Sequence, residues 1–560
     1  MDLESRYSKL EKDYKQLSIE YNILRQAYDK LKRSRKKHKQ KISVLQDELN
    51  KFKNNRYSDS NHLNVSPQRR LESLSIFSPK PVRRLTNPPD SASTNQSSGK
   101  ILQANPDQSV QSDHSISYIY EAFFVVGLGK DDLSTSLPKI LFEYHTESDP
   151  ISEEILKVIP NICFPTGCEP RKLKLSGSAS DLNGVLYSQV PIKRSENCFI
   201  FTLRAEDAYG DQQLHPDVPN CELELLYFIC IKIEDLCVDE AGSEWVVPKC
   251  YVLSTYVPVF DLHFEFLQSL LLLKRLYRTQ LIANGDGNAI SSLVECECCK
   301  DEIDQLNKYA QCECIEPGLK LELGIDKIEE LIYLCPENLS TIDLVWLCMP
   351  LFTSLRFNDF FWLLSAVLQE KSIIFISKNL GLLSSCVLGI CALLRPFKWY
   401  NLTVSIVPDS LKEILDAPIP VIAGIPSISN QERLRYPNII WVVLDEPSLD
   451  RKIRGSGCIV SEVIELEAPE LKKSLSACYK SFDTETFLFT GNPEQKSNCL
   501  KIAEELKKYF NKIIDAFKGT TVLDETELTR ILLHNFPTYD HKFVRAFVQT
   551  MIFNNKLEIE

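Results

Sequence analysis

The sequence predicts an α/β body, with a mostly parallel sheet flanked by helices, preceded by an N-terminal coiled coil. Three observations lead there: the reading of residues 359–425, a heptad repeat in the first fifty residues, and a polar stretch that separates the two. In the first, an apolar helix pattern (Phe360–Leu368) runs into a turn at Gln369, Glu370 and Lys371, followed by a short apolar run, Ser372–Ser377. A nearly all-apolar segment, Leu380–Leu394, comes next, and Pro396 ends it because proline cannot continue a helix. Asn401–Val407 reads as a further strand, closed by Pro408. Short apolar strands joined through a buried helix make a parallel layer, since parallel strands need a long crossover.

The N-terminus carries a clean repeat. Leu3, Leu10, Leu17, Leu24 and Leu31 recur every seven residues, and Tyr7, Tyr14, Tyr21 and Tyr28 fall four residues after a leucine. This 4-3 spacing puts leucine at d and tyrosine at a of a coiled coil. Arg35 and His38 interrupt the seam, which resumes at Ile42, Leu45, Leu49 and Phe52. The expected product is a parallel helical oligomer over residues 1–56; a lone helix packed on the body is the alternative. Light scattering checks it. The full chain is expected to exceed the monomer mass and a chain starting at Tyr118 to be monomeric. Leu17→Glu with Leu24→Glu is expected to dissociate the oligomer, because charge at d cannot be buried cheaply.

Residues 57–117 are rich in Ser, Asn, Pro and Gln, lack periodic apolar residues, and read as a disordered linker. Ser66 and Ser78, each followed by proline, and Thr86, preceded by Arg83 and Arg84, are candidate phosphorylation sites. Charge is split along the chain. Residues 1–56 hold 16 basic against 8 acidic side chains, and residues 57–117 hold 6 against 5. With −12 overall, everything from residue 118 on carries −21. An acidic body argues against nucleic acid as a partner, because phosphate contacts need Lys and Arg. The basic run Lys30–Lys41 is a candidate contact for anionic membrane, or simply a solvated helix face.

Apolar residues make 44% and charged residues 25% of the 560, ordinary values for a globular cytoplasmic protein. No stretch reaches ~18 uninterrupted apolar residues, so no membrane-spanning helix is expected. The charged start MDLESRYSKL lacks the apolar core of a signal peptide, so the 19 cysteines are expected to stay reduced. Cys296, Cys298, Cys299, Cys312 and Cys314 approach zinc-site spacing, but C-x-C is tighter than the usual C-x2-C, and the expectation is reduced cysteines with no metal. The chain has no P-loop, H-E-x-x-H or G-x-S-x-G sequence, and only 8 histidines. No cofactor and no covalent catalysis are expected. Asp445 and Asp450 follow a strand-like run, Asn438–Leu444, and acidic residues at a strand's C-terminal end are where α/β sites gather. A solvated turn is the other reading of them.

Several pieces in order resemble the DENN family. They are Glu370–Ser377, Leu394–Trp399, Ile406–Pro408 and Ala417–Ile425, with Tyr118–Leu128, Pro138–Tyr144, Ile162–Gly167, Phe199–Leu203, Tyr209–Gly210, Pro248–Ser254 and Phe260–Leu267 upstream. Ala208 stands where the family usually has a glycine. The resemblance thins from Glu485 to Phe547. It implies a longin-like N-lobe over residues 118–281, an inter-lobe linker over 282–330, a central α/β domain over 331–470 and a downstream helical region over 471–560 that runs short of the family pattern. It further implies a guanine-nucleotide exchange factor that holds a Rab-type small GTPase between the lobes, in membrane trafficking, with recruitment from the cytoplasm to vesicle or endomembrane surfaces. Lys398, Trp399, Tyr400, Asp409 and Asp445 are the candidate GTPase contacts, each with a structural role as the alternative. Two rival functions stay open: a non-catalytic scaffold, and a folliculin-like GTPase-activating role, for which Arg171 and Arg204 carry no distinguishing motif.

Overall fold

Alternation of period two builds the first sheet. Strand β1, Ala122–Gly127, is buried along its whole length. Phe123 and Val125 point into one core, and Ala122, Phe124 and Val126 into another. A strand reads as unbroken apolar sequence when both faces of its sheet are covered. In this computed structural model the described residues are 119–146, 151–172, 197–204, 225–239, 243–283, 298, 300–312, 318, 320–324, 331–336, 338–445, 453–455, 457–482, 491–518 and 525–559. They all fall within one compact unit, Ser109–Glu560. The coiled-coil residues Leu3 to Phe52, the candidate phosphorylation sites and the polar linker lie outside them.

The upstream sheet also contains β2 (Lys139–His145), β3 (Arg171–Lys172), β4 (Cys198–Arg204), β5 (Leu225–Val238) and β6 (Glu244–Thr255). Its order is β2-β1-β6-β5-β4, with β3 also on β6, and the pairing is antiparallel throughout. Helix α1, Glu153–Cys163, covers one face with Ile155, Ile159 and Ile162. Helix α2, Phe260–Ala283, covers the other. The stretch read as an inter-lobe linker contains helix α3, Lys300–Ala310. Tyr120 Oη donates to the Leu306 carbonyl at 2.8 Å, and the Tyr309 hydroxyl meets His263 Nδ1 at 2.8 Å, which docks α3 on the upstream lobe. Strands β7 (Lys320–Leu323) and β8 (Leu331–Leu334) form a separate hairpin.

The downstream sheet is the expected parallel one. Its strands are β9 (Ser372–Ile376), β10 (Leu402–Val404), β11 (Val421–Ile425), β12 (Ile439–Val443) and β13 (Ile453–Arg454), in the order β10-β11-β9-β12-β13. Only β13 runs antiparallel. Strand β11 lies between the two strands that bracket the apolar helix. Its sequence, VIAGI, hides a strand behind a glycine. A Cβ on Gly424 would sit 2.4 Å from the Ser405 carbonyl and 2.6 Å from Leu383 Cγ, so the glycine permits a close backbone approach.

Helices α4 (Leu344–Ser354), α5 (Phe357–Leu368) and α6 (Leu380–Ala392) follow in chain order. Helix α6 ends at Ala392, two residues short of the expected Leu394, and Asn379 caps its start by accepting from Leu382 N at 2.9 Å. The helix is covered mainly by α4 and by β4 of the upstream lobe, then by β11, with β9 contributing less. A helix enclosed on all sides has no solvated stripe, which is why the run Leu380–Leu394 shows no amphipathic period. Among the described residues no helix is long and apolar enough to cross a membrane.

The remaining helices are α7 (Asn430–Arg433), α8 (Gly457–Glu462), α9 (Pro469–Tyr479), α10 (Pro493–Phe517), α11 (Glu525–Asn535), α12 (His541–Phe547) and α13 (Met551–Ile559). Asn492 caps α10 reciprocally with Gln495, and Pro493 opens it, an N-terminal signal legible in the sequence. Phe397 stacks edge-on against Phe510 and Phe547, with ring centroids 5.5 and 5.0 Å apart. Glu370 accepts from the backbone amides of Met551 and Ile552 at 3.1 Å each. The C-terminal helices are thus pinned to the loops that precede β9 and β10.

Candidate functional site at the seam of the lobes

A parallel sheet has two unlike edges, and ligand sites gather at the one where strands end. Here that edge holds Ser377, Lys378 and Asn379 after β9, Ser405–Asp409 after β10, and Leu444 and Asp445 after β12. Asp445 is exposed, yet it is bonded. Its Oδ1 accepts from Ser377 Oγ at 2.6 Å and its Oδ2 from Lys378 N at 2.7 Å. Ser377 Oγ in turn accepts from Asn379 N at 3.0 Å. Asp445 therefore fixes the turn that launches α6 and leaves the Lys378 side chain exposed beside it. Asp409 is exposed and pairs with Lys412 at 2.8 Å. Its backbone amide donates to the Pro165 carbonyl of the upstream lobe at 3.0 Å.

That last bond marks where the lobes meet. Ile406 and Leu380 pack into the second core of the upstream sheet. Ile200 N donates to Ser384 Oγ at 3.3 Å, from β4 to α6. The turn Phe164–Gly167 lies against the strand-end edge, closed by a Gly167 N to Phe164 O bond of 2.9 Å. Gly167 has φ +87°, where a side chain would be strained. Thr166, Gly167, Lys378, Asp409, Ser410, Leu411 and Asp445 form an exposed rim along a packed seam. What the lobes offer a partner here is a continuous surface across both.

The other three candidates lie on the opposite edge. Lys398, Trp399 and Tyr400 precede β10. Trp399 is buried, with Nε1 donating to the Leu402 carbonyl at 3.3 Å. Lys398 Nζ stands 5.8 Å from the Tyr400 ring centroid, a cation–π distance. Close by, Arg395 makes a bidentate pair with buried Asp343 at 2.9 and 2.5 Å, which ties this loop to the start of α4. Asp343 and the other partners outweigh burial and raise the Arg395 pKa still further. The five residues therefore do not converge: Asp409 and Asp445 share the seam, and Lys398–Tyr400 lie on the opposite edge. Sequence reading missed Lys378 and the Phe164–Gly167 turn, because their roles depend on a junction between segments more than 200 positions apart.

Of the rival candidates, Arg171 is exposed and meets Glu234 at 3.4 Å, and Arg204 is an exposed strand-end residue. Among the linker cysteines, Cys298 is buried and Cys312 half-buried, while Cys296, Cys299 and Cys314 lie outside the described residues.

Residues 246–447, from β6 through β12 across this seam, match the DENN (AEX-3) domain. The chain carries a DENN domain over this stretch. Similar proteins bear the same name. DENN domain-containing protein 1B of Homo sapiens is 27% identical over 128 residues, 22% of this chain and 16% of that protein. DENN domain-containing protein 2B of Homo sapiens is 34% identical over 79 residues, 14% of this chain and 7% of that protein. DENN domain-containing protein 2A of Mus musculus is 22% identical over 236 residues, 39% of this chain and 24% of that protein. In each case the DENN chain spans far less than two thirds of its relative.

Proposed function

We propose that this DENN-domain protein is a guanine-nucleotide exchange factor that promotes GDP release from a Rab-type small GTPase seated on the inter-lobe seam, in membrane trafficking. The observation that carries the reading is the DENN match itself, which runs from β6 of the upstream sheet through the strand-end edge of the downstream sheet. In this reading the upstream lobe is longin-like, residues 118–281, 331–470 and 471–560 are its working parts, and the N-terminal 56 residues add self-association and contact with anionic membrane. Exchange forms no covalent bond. The factor binds the nucleotide-free GTPase better than the loaded one, and linkage makes nucleotide weaken the factor in return. A picomolar nucleotide is held by about 16 kcal/mol, and loosening it 10⁵-fold takes ~7 kcal/mol of differential binding. A broad surface shared by two lobes suits that demand better than a small pocket.

The full chain, added to a panel of Rab proteins, is expected to accelerate labelled-GDP release from at least one. Binding is expected to be tightest without nucleotide and weakened by added GDP. Lys378→Glu and Asp409→Lys alter exposed rim side chains and are expected to slow release about tenfold or more at an unchanged melting temperature, about 1.4 kcal/mol of lost binding. A complete panel with neither faster release nor nucleotide-sensitive binding would move the reading to a scaffold. Faster GTP hydrolysis would move it to a GTPase-activating role.

A further inference from the structure

Among the described residues, a cluster of metal-ligating side chains lies in the second core of the upstream sheet. Cys163 ends α1, Cys230 lies on β5 and Cys250 on β6, all three are buried, and their Sγ atoms all lie within 4.8 Å of one another. Four thiolates around zinc at a Zn–S distance of about 2.3 Å have S–S edges of about 3.8 Å. The triangle is therefore within about 1 Å of one face of such a tetrahedron. Cys168, also buried, follows Cys163 by five residues, across the tight Phe164–Gly167 turn. Two cysteines on a turn and two on a sheet are a common way to assemble a closed four-coordinate site.

We propose that Cys163, Cys168, Cys230 and Cys250 bind one structural zinc ion. The fourth ligand requires the Cys168 side chain to turn toward the trio. On binding, the thiols release protons to solvent, because thiolate is the ligand form. Lys232 is the direct cross-strand partner of Cys250, so its side chain projects from the same face, and its Nζ lies 4.8 Å from the Phe164 ring centroid. A thiolate-rich zinc centre is anionic, and a lysine at that position balances it. Burial raises the Cys163 and Cys230 thiols. At Cys250 burial works the same way but is outweighed by the two neighbouring thiols and Lys232, which lower it. A disulfide fits the sheet poorly. Cys230 pairs with Val252 and Cys250 with Lys232, so the two cysteines are diagonal neighbours, roughly 7–8 Å apart and beyond disulfide reach. The zinc would fasten the end of α1 and its turn to β5 and β6. Pro165 in that turn receives the Asp409 amide, so the ion would stiffen one wall of the seam.

Full chain purified with zinc present and no chelator is expected to contain about one zinc per chain. Cobalt is expected to replace it, with thiolate-to-cobalt charge-transfer and tetrahedral d–d absorption bands, a readout on the unaltered protein that needs no variant to fold. Cys230→Ser and Cys250→Ser are expected to lose the metal, and Cys296→Ser with Cys299→Ser to keep it. A strong chelator is expected to lower the melting temperature. Protein without stoichiometric zinc and without the cobalt bands, or metal that follows the linker cysteines instead, would overturn the proposal.

Discussion

Leu383→Asp is expected to abolish the cooperative melt of the whole body. Leu383 is fully buried on α6, against Gly424 of β11, with no room for even a Cβ between them. On another side of the same helix, a Cβ on Gly389 would sit 2.5 Å from the Leu347 carbonyl of α4. A carboxylate at position 383 would have neither water nor a cation, and an unpaired buried charge exceeds the ~4–5 kcal/mol that marks an exceptional substitution. Folded domains hold only about 5–15 kcal/mol in total. Helix α6 also carries β4 on it, through the Ser384 bond to Ile200, so the damage reaches both lobes. Leu383→Ala serves as the graded control. It removes volume without adding charge and is expected to cost about 2–5 kcal/mol, with the transition lowered but still cooperative. Circular dichroism melts on the three proteins decide the point, and an aspartate variant that melts like the unaltered chain would refute this account of α6.

How far the sequence foretold this arrangement differs by element. The parallel sheet was legible because β9, α6 and β10 are contiguous segments whose apolar runs and breakers lie within a few residues of one another. Strand β11 was not, since Gly424 weakens its strand pattern and its reason, the approach of Ser405 and Leu383, is tertiary. Asp445 was legible as a strand-end carboxylate. That it holds Ser377 and Lys378 in place was not, because the partners come from the turn after β9, 68 and 67 positions away. Trp399 was read as either a contact or a structural residue; its burial and its bond to the Leu402 carbonyl were not readable from local sequence. Local spacing drew attention to the linker cysteines, whereas the fold gathers Cys163, Cys230 and Cys250 from three elements that no spacing rule connects. Periodicity reports burial, but not which distant polar groups burial brings together.

The clearest case of that blindness also yields the second large expected effect. Asp235 on β5 is buried against Lys249 of β6 at 3.3 Å and Arg278 of α2 at 2.7 Å, with both cations nearly buried as well. Burial alone would raise its pKa, but Lys249, Arg278 and Lys274 outweigh burial and hold the carboxyl well below the usual carboxylate range. Asp235→Asn keeps the shape and removes the charge, which leaves Lys249 and Arg278 uncompensated in the interior. Breaking a buried pair in this way costs about 3–5 kcal/mol. Removing one cation as well, in Asp235→Asn with Lys249→Met, is expected to recover part of that loss, since partners in one network are not additive. The acid dependence follows from the direction of the shift. A carboxylate whose folded pKa is depressed contributes stability that is full above its unfolded value, about 4, and is lost as pH falls through the folded value. The gap in stability between the unaltered protein and Asp235→Asn is therefore expected to be constant from neutral pH down to about 5 and to narrow progressively below about 4. Denaturant titrations at a series of pH values measure that gap directly. A gap that instead widened toward acid, or was already absent at neutral pH, would mean that Asp235 does not hold β5, β6 and α2 together as an ion-paired carboxylate.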